Sequence, residues 1–130
     1  MQKQVKSVRI GELYAKIPKV DCQNCGECCG PVEMSPVEKQ LITEYCQRYS
    51  IPLKNFFAPL TVRFLDVLAG YWQCPMRQSG KCLIYEVRPL ICRLQGCTPM
   101  LPCPNAAARK FPLSDAVAGV LLQRSWRASR

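Results

Sequence analysis

The 130-residue chain has no histidine and only nine acidic residues, set against 18 lysines and arginines. Without histidine there are no ligands for a His-rich catalytic zinc and no base for a Ser–His or Cys–His nucleophilic centre. The acids are scattered singly, so none are paired for general acid–base work, and no glycine-rich phosphate loop is present. No stretch approaches the ~18 apolar residues of a membrane span; LSDAVAGVLL is the nearest and is far shorter. The first residues, MQKQVKSVRIGELYAKIPKV, hold lysines but lack the apolar run and small-residue cleavage pattern of a secretory signal. A cytoplasmic, reducing setting is therefore expected.

Cysteine is what the chain has in excess, with ten residues. In a reducing setting, clustered thiols are more often metal ligands or redox groups than disulfides. Four of them fall in CQNCGECCG: Cys22, Cys25 and Cys28 at x2 spacing, and Cys29 beside Cys28. Three thiolates at that spacing in a glycine-containing loop can turn inward around one centre. The same spacing supplies three ligands of a [4Fe–4S] cluster in bacterial ferredoxins, with the fourth from a distant Cys-Pro. Cys74–Pro75 and Cys103–Pro104 are such pairs. The Cys-x2-Cys-Gly run is equally a zinc knuckle, which needs two further cysteines such as Cys82 and Cys92. Spacing alone leaves iron–sulfur and Zn2+ open. Adjacent side chains diverge, so Cys28 and Cys29 are not expected to serve one mononuclear site together.

A second cysteine segment, CPMRQSGKCLIYEVRPLICRLQGC, carries Cys74, Cys82, Cys92 and Cys97. Arg88 and Arg93 flank Cys92. A guanidinium there can offset thiolate charge, donate to sulfur or lock a carboxylate such as Glu86, which makes both arginines candidate cofactor-binding residues. The plainer alternative is an exposed surface arginine.

Charge is uneven. Residues 1–20 carry five Lys/Arg against one acid, residues 21–70 four against six, and residues 71–130 nine against two. Two four-thiolate metal sites would offset about four units of the positive excess. The rest reads first as a solvated basic face that permits weak binding to an acidic protein surface or to nucleic acid; a protein partner or larger assembly is expected, and nucleic acid at the basic ends is not favoured.

Residues 1–20 read as an extended basic arm, from the alternation in QVKSVRI. SPVEKQLITEYCQRYS reads as a helix with Ser35 as cap, Pro36 in the first turn and Glu38 completing a capping box. Its stripe is Val37, Leu41, Tyr45 and Tyr49, with Ile42 and Cys46 on the adjoining row, so Cys46 is assigned to the core. LTVRFLDVLAGYWQC reads as a β-hairpin. Ser79–Gly80 marks a tight turn, Pro89 starts a helical turn that Gly96 stops, and Ser114 caps a last helix with Val117, Val120, Leu121 and Trp126 as its packed face.

The two cysteine segments together, CQNCGECC (Cys22, Cys25, Cys28, Cys29) and CLIYEVRPLICR with the preceding Cys74 (Cys82, Tyr85, Arg88, Pro89, Cys92, Arg93), resemble the CxxCxxCC cysteine-cluster family (YkgJ-like), described as zinc- or iron-chelating domains. The resemblance spans roughly residues 20–97 and is specific as a double motif. Larger relatives include flagellin lysine methylases, in which the cysteine domain is tied to an iron–sulfur centre and a methyl donor. This chain leaves little length for a methyl-donor domain, so the resemblance implies a stand-alone cluster domain.

The expectation is a small α+β fold: an irregular, cysteine-rich, metal-held domain with two or three helices and a short β-hairpin. Its parts are a basic N-terminal arm (1–20), a cysteine-cluster domain (21–105) and a C-terminal helix packed on or beside it (106–130). The expected function is to hold an iron–sulfur cluster as an accessory or electron-transfer module of a larger enzyme or complex. The alternative is a structural zinc module with basic docking surfaces; methyltransferase-related and metal-delivery roles rank behind. No catalytic residue is assigned, and activity of the chain on its own is not expected.

Overall fold

The computed structural model describes residues 2–18, 33–53, 74–79, 81–101 and 111–130. Among them it holds four α-helices, α1 (Gln2–Ala15), α2 (Pro36–Arg48), α3 (Leu90–Leu94) and α4 (Asp115–Ala128), with a 3-10 turn at Tyr85–Val87. Strands β1 (Arg77–Gln78) and β2 (Lys81–Cys82) pair antiparallel, Arg77 opposite Cys82 and Gln78 opposite Lys81. The result is a small α+β fold, as expected. The hairpin read at LTVRFLDVLAGYWQC lies outside the described residues up to Cys74.

The segment read as an extended arm is instead α1. Its valines supplied the alternation, but Val5 and Val8 stay exposed. What is buried is Ile10, Leu13 and Ile17, spaced three and four apart, with Tyr14 packed alongside. That is the spacing of one helix face, and burying it against α2 and α4 outweighs a local strand-like pattern.

α2 begins as read. Pro36 occupies the first turn, and Glu38 Oε1 accepts from the Ser35 N–H at 3.1 Å. The helix serves two cores. Val37 is buried, and Leu41 packs, in a cluster with Ile10, Leu13, Leu90, Leu94, Cys97, Ala118 and Leu121. Ile42 and Cys46 are buried in a second cluster with Met34, Met76 and Ile84. Cys46 is thus a core thiol, as assigned. Tyr49 does not continue the stripe; it is exposed and leans on Tyr45, ring centroids 4.6 Å apart.

α4 is capped as expected, Ser114 Oγ accepting from Val117 N at 3.2 Å. Its packed face is different from the one read. Val117, Val120 and Trp126 are 45 %, 46 % and 45 % exposed, while Ala118, Leu121, Ser125 and Ala128 are buried. Small residues at this spacing let α4 lie close to α1, and closeness of fit decides the face over side-chain size. The two helices run antiparallel. Lys6 Nζ near the start of α1 donates to Ser129 O at the end of α4 (3.2 Å), while the Pro18 carbonyl after α1 meets Cys97, whose carbonyl takes Leu113 N just before α4.

Two backbone punctuations hold as read. Ser79 adopts a left-handed φ of 51°, in the two-residue connection of the hairpin. Gly96 takes φ 83° two residues after the end of α3, a conformation that glycine adopts without a Cβ penalty.

Candidate metal centre

The hairpin is the local device that places two thiols. Arg77 N donates to Cys74 O at 3.0 Å and Leu83 N to Met76 O at 2.8 Å, closing the turn around Met76, which is fully buried. Cys74 and Cys82 then flank Met76, half-buried against the second core cluster, which also holds Met34 and Cys46. Cys92 is half-buried on α3. Cys97 is fully buried in the first cluster, its Sγ 3.5 Å from both Pro18 O and Arg93 O.

The structure therefore brings Cys74 and Cys82 to one cluster and Cys97 to the other, with Cys92 on the helix between the arginines. Among the described residues no three thiols or carboxylates are grouped to hold a metal ion. Cys22, Cys25, Cys28, Cys29 and Cys103 lie outside the described residues.

Arg88 and Arg93 fold their own segment. Arg88 Nε donates to Tyr85 O at 2.8 Å, and its guanidinium carbon lies 3.8 Å from the Tyr85 ring centre. Arg93 Nε donates to Arg88 O (2.8 Å), and Nη2 to Glu86 O (2.9 Å). It is thus the Glu86 carbonyl, not its carboxylate, that Arg93 holds. The same guanidinium lies 3.9 Å from the Tyr14 ring centre, a cation–π contact that ties the Cys92 turn to α1. Burial lowers the Arg93 pKa, partly countered by Tyr14.

Beneath this turn is a polar hub that sequence reading missed in its extent. Glu38, read only as a capping-box partner, is 2 % exposed. Its Oε1 accepts from Ser35 N (3.1 Å), Ser35 Oγ (2.9 Å) and Ser125 Oγ (2.8 Å). Its Oε2 accepts from Tyr14 OH (2.8 Å) and from Leu90 N, the first amide of α3. One carboxylate thus joins α1, α2, α3 and α4. A carboxylate buried with this many donors is the form in which a buried charge is tolerated. Burial first, then Glu38, raises the Tyr14 pKa, so the phenol remains the donor. Register could have found the hub: Glu38, Ile42 and Cys46 share one i, i+4 row, as do Leu121, Ser125 and Ala128 on α4 at neighbouring spacings.

The motif block ordered by these contacts, together with the four-cysteine segment, matches a family model over residues 21–111. The chain belongs to the CxxCxxCC family. Members are described as zinc- or iron-chelating domains, and all ten cysteines fall inside the matched residues. Helices α1 and α4 flank the CxxCxxCC match and complete its larger core. No curated protein and no solved structure matches the chain. No helix among the described residues is long and apolar enough to cross a membrane.

Proposed function

We propose that this CxxCxxCC domain holds an iron–sulfur cluster of the [4Fe–4S] type and serves a larger enzyme or complex as an accessory or electron-transfer module. The ligands would come from Cys22, Cys25 and Cys28 or Cys29, with Cys74, Cys82 and Cys92 as the second contributing group. The observation that carries the reading is the union of a three-cysteine x2 loop with a folded block that presents further half-buried thiols in a chain without histidine. Thiolates shielded from water in this way suit a thiophilic metal.

Two further features support a metal nearby. Thr98, next to Cys97, buries a hydroxyl with no hydrogen-bond partner among the described residues, a donor suited to a thiolate sulfur. Cys22 is four residues from Pro18, whose carbonyl meets Cys97, and four residues span at most about 14 Å of chain. The cluster, when bound, would supply a one-electron redox centre; the chain supplies its sulfur ligands and limits solvent access. Arg88 and Arg93 act as positioning residues, because their donors shape the turn that carries Cys92.

A zinc-held module is the second reading, and the family description covers both metals. Protein purified without oxygen decides between them. Broad visible absorbance with equal amounts of iron and acid-labile sulfide supports the cluster. A colourless protein containing zinc overturns it in favour of a structural module.

A further inference from the structure

Helices α1 and α4 meet along a groove of about 280 Å³, with Leu13 and Ala128 lining it. Four cations line it as well, Arg9 from α1, Lys16 just past its end, and Arg124 and Arg127 from α4, with Glu12 as a lining acid. Among the described residues none of these four cations is held in an ion pair or hydrogen bond.

The pattern beside the groove is regular. On α1, Val5, Arg9 and Glu12 follow one another at helical spacing on one flank, and Lys16 continues the row just past the helix end. On α4, Val117, Val120, Arg124 and Arg127 do the same. All four cations and all three valines are exposed. Because the helices are antiparallel, Val5 lies toward one end of the strip and Val117 and Val120 toward the other, the end that Lys16 also occupies.

We infer that this strip is a docking surface for an acidic amphipathic segment of a partner protein, with carboxylates over the four cations and aliphatic side chains over the valines. Charge complementarity selects an acidic occupant. The valines select a protein: a phosphodiester backbone would use the cations alone, and among the described residues no aromatic ring lines the groove for bases to stack upon. The inference rests on the accessory-module reading for the existence of a partner. It names the face that meets it: the one built by α1 and α4, outside the residues of the family match.

The test uses the metal-loaded full chain and three fluorescent probes: a synthetic acidic amphipathic helical peptide, a scrambled peptide of the same composition, and a short DNA duplex. Anisotropy is measured at low and at physiological salt. The amphipathic peptide is expected to bind about tenfold more tightly than its scrambled form. The paired variant Arg124→Glu/Arg127→Glu should lose binding about tenfold or more, while Arg124→Lys/Arg127→Lys should retain most of it. Val117→Ser/Val120→Ser should weaken binding without changing its salt dependence.

Equal binding of the scrambled peptide would overturn the inference, as would tighter binding of the duplex or no binding of any probe. Metal content and helical circular dichroism are read on the same samples. A loaded, folded chain that ignores the peptide removes the docking face and leaves the metal centre standing. Failure to load metal instead strikes the reading of the site.

Discussion

Replacing Glu38 with alanine removes the acceptor shared by five donors from all four helices. Two of the donors can adjust: the Ser35 and Ser125 hydroxyls lie 2.9 Å apart and can bond to each other. The Tyr14 hydroxyl is only partly buried and can turn toward water. Leu90 N–H cannot move without unwinding the start of α3, and it lies in the core with Leu90 1 % exposed. A buried donor left without a partner costs about 1–3 kcal/mol, and bonds to a charged group contribute about 1.5–3 kcal/mol each. The carboxylate's own desolvation, several kcal/mol, is relieved at the same time. The expected net loss is about 3–5 kcal/mol, a large part of the ~5–15 kcal/mol typical of a domain. Glu38→Gln keeps the shape and one acceptor. Its carbonyl can face Leu90 and Tyr14, and its amide can donate to hydroxyls that reverse, but Ser35 N–H then opposes a donor. About half the alanine loss is expected. Urea denaturation of the metal-loaded proteins, followed by far-ultraviolet circular dichroism, measures both. An alanine variant within about 1 kcal/mol of wild type, or a glutamine variant as damaged as alanine, would refute the claim that this carboxylate joins the four helices.

Tyr14 gives a pH signature. Its pKa is raised on folding, so its contribution is present below the unfolded value near 10 and falls as pH rises beyond it. The stability difference between wild type and Tyr14→Phe is therefore expected to be constant near neutrality and to shrink above about pH 10, as read from denaturant midpoints; a difference that grows there would contradict the assignment. Burial raises the Cys46 pKa, so its thiol should resist alkylation by iodoacetamide in the folded protein and react fully once the chain is unfolded, as read by mass spectrometry. Cys46→Ser should keep full metal content, and loss of metal would show that Cys46 is a ligand rather than a core residue. Chelation should lower the denaturation midpoint, because metal bound only by the folded chain is folding energy.

How much of this was legible in the sequence depended on whether the signal was local. The α2 cap, the Ser79 turn, the stop at Gly96 and the Ser114 cap were readable because each rests on residues within a turn of one another. The family was readable because its two cysteine blocks are contiguous strings. The packed face of α4 was not, because Ala118, Ser125 and Ala128 are chosen by what lies opposite them: a close neighbour helix and the Glu38 carboxylate. The first helix was missed for a related reason. Val5 and Val8 mimic a strand, and only the partners of Ile10, Leu13 and Ile17 reveal which spacing is buried. Glu38 showed one of its roles locally, as a cap, and hid the other three, which join residues 24, 52 and 87 positions away. The hairpin at LTVRFLDVLAGYWQC and the CQNCGECC loop are sequence readings that lie outside the described residues.

If the x2-spaced cysteine loop and the folded cysteine block hold one metal centre together, a cysteine lost from either segment should empty it. The most direct test is the metal-to-protein ratio of wild type, Cys25→Ser and Cys82→Ser chains purified side by side without oxygen. A shared centre gives a loaded wild type and loss of metal from both variants, one from each segment. Full loading of either variant would contradict it.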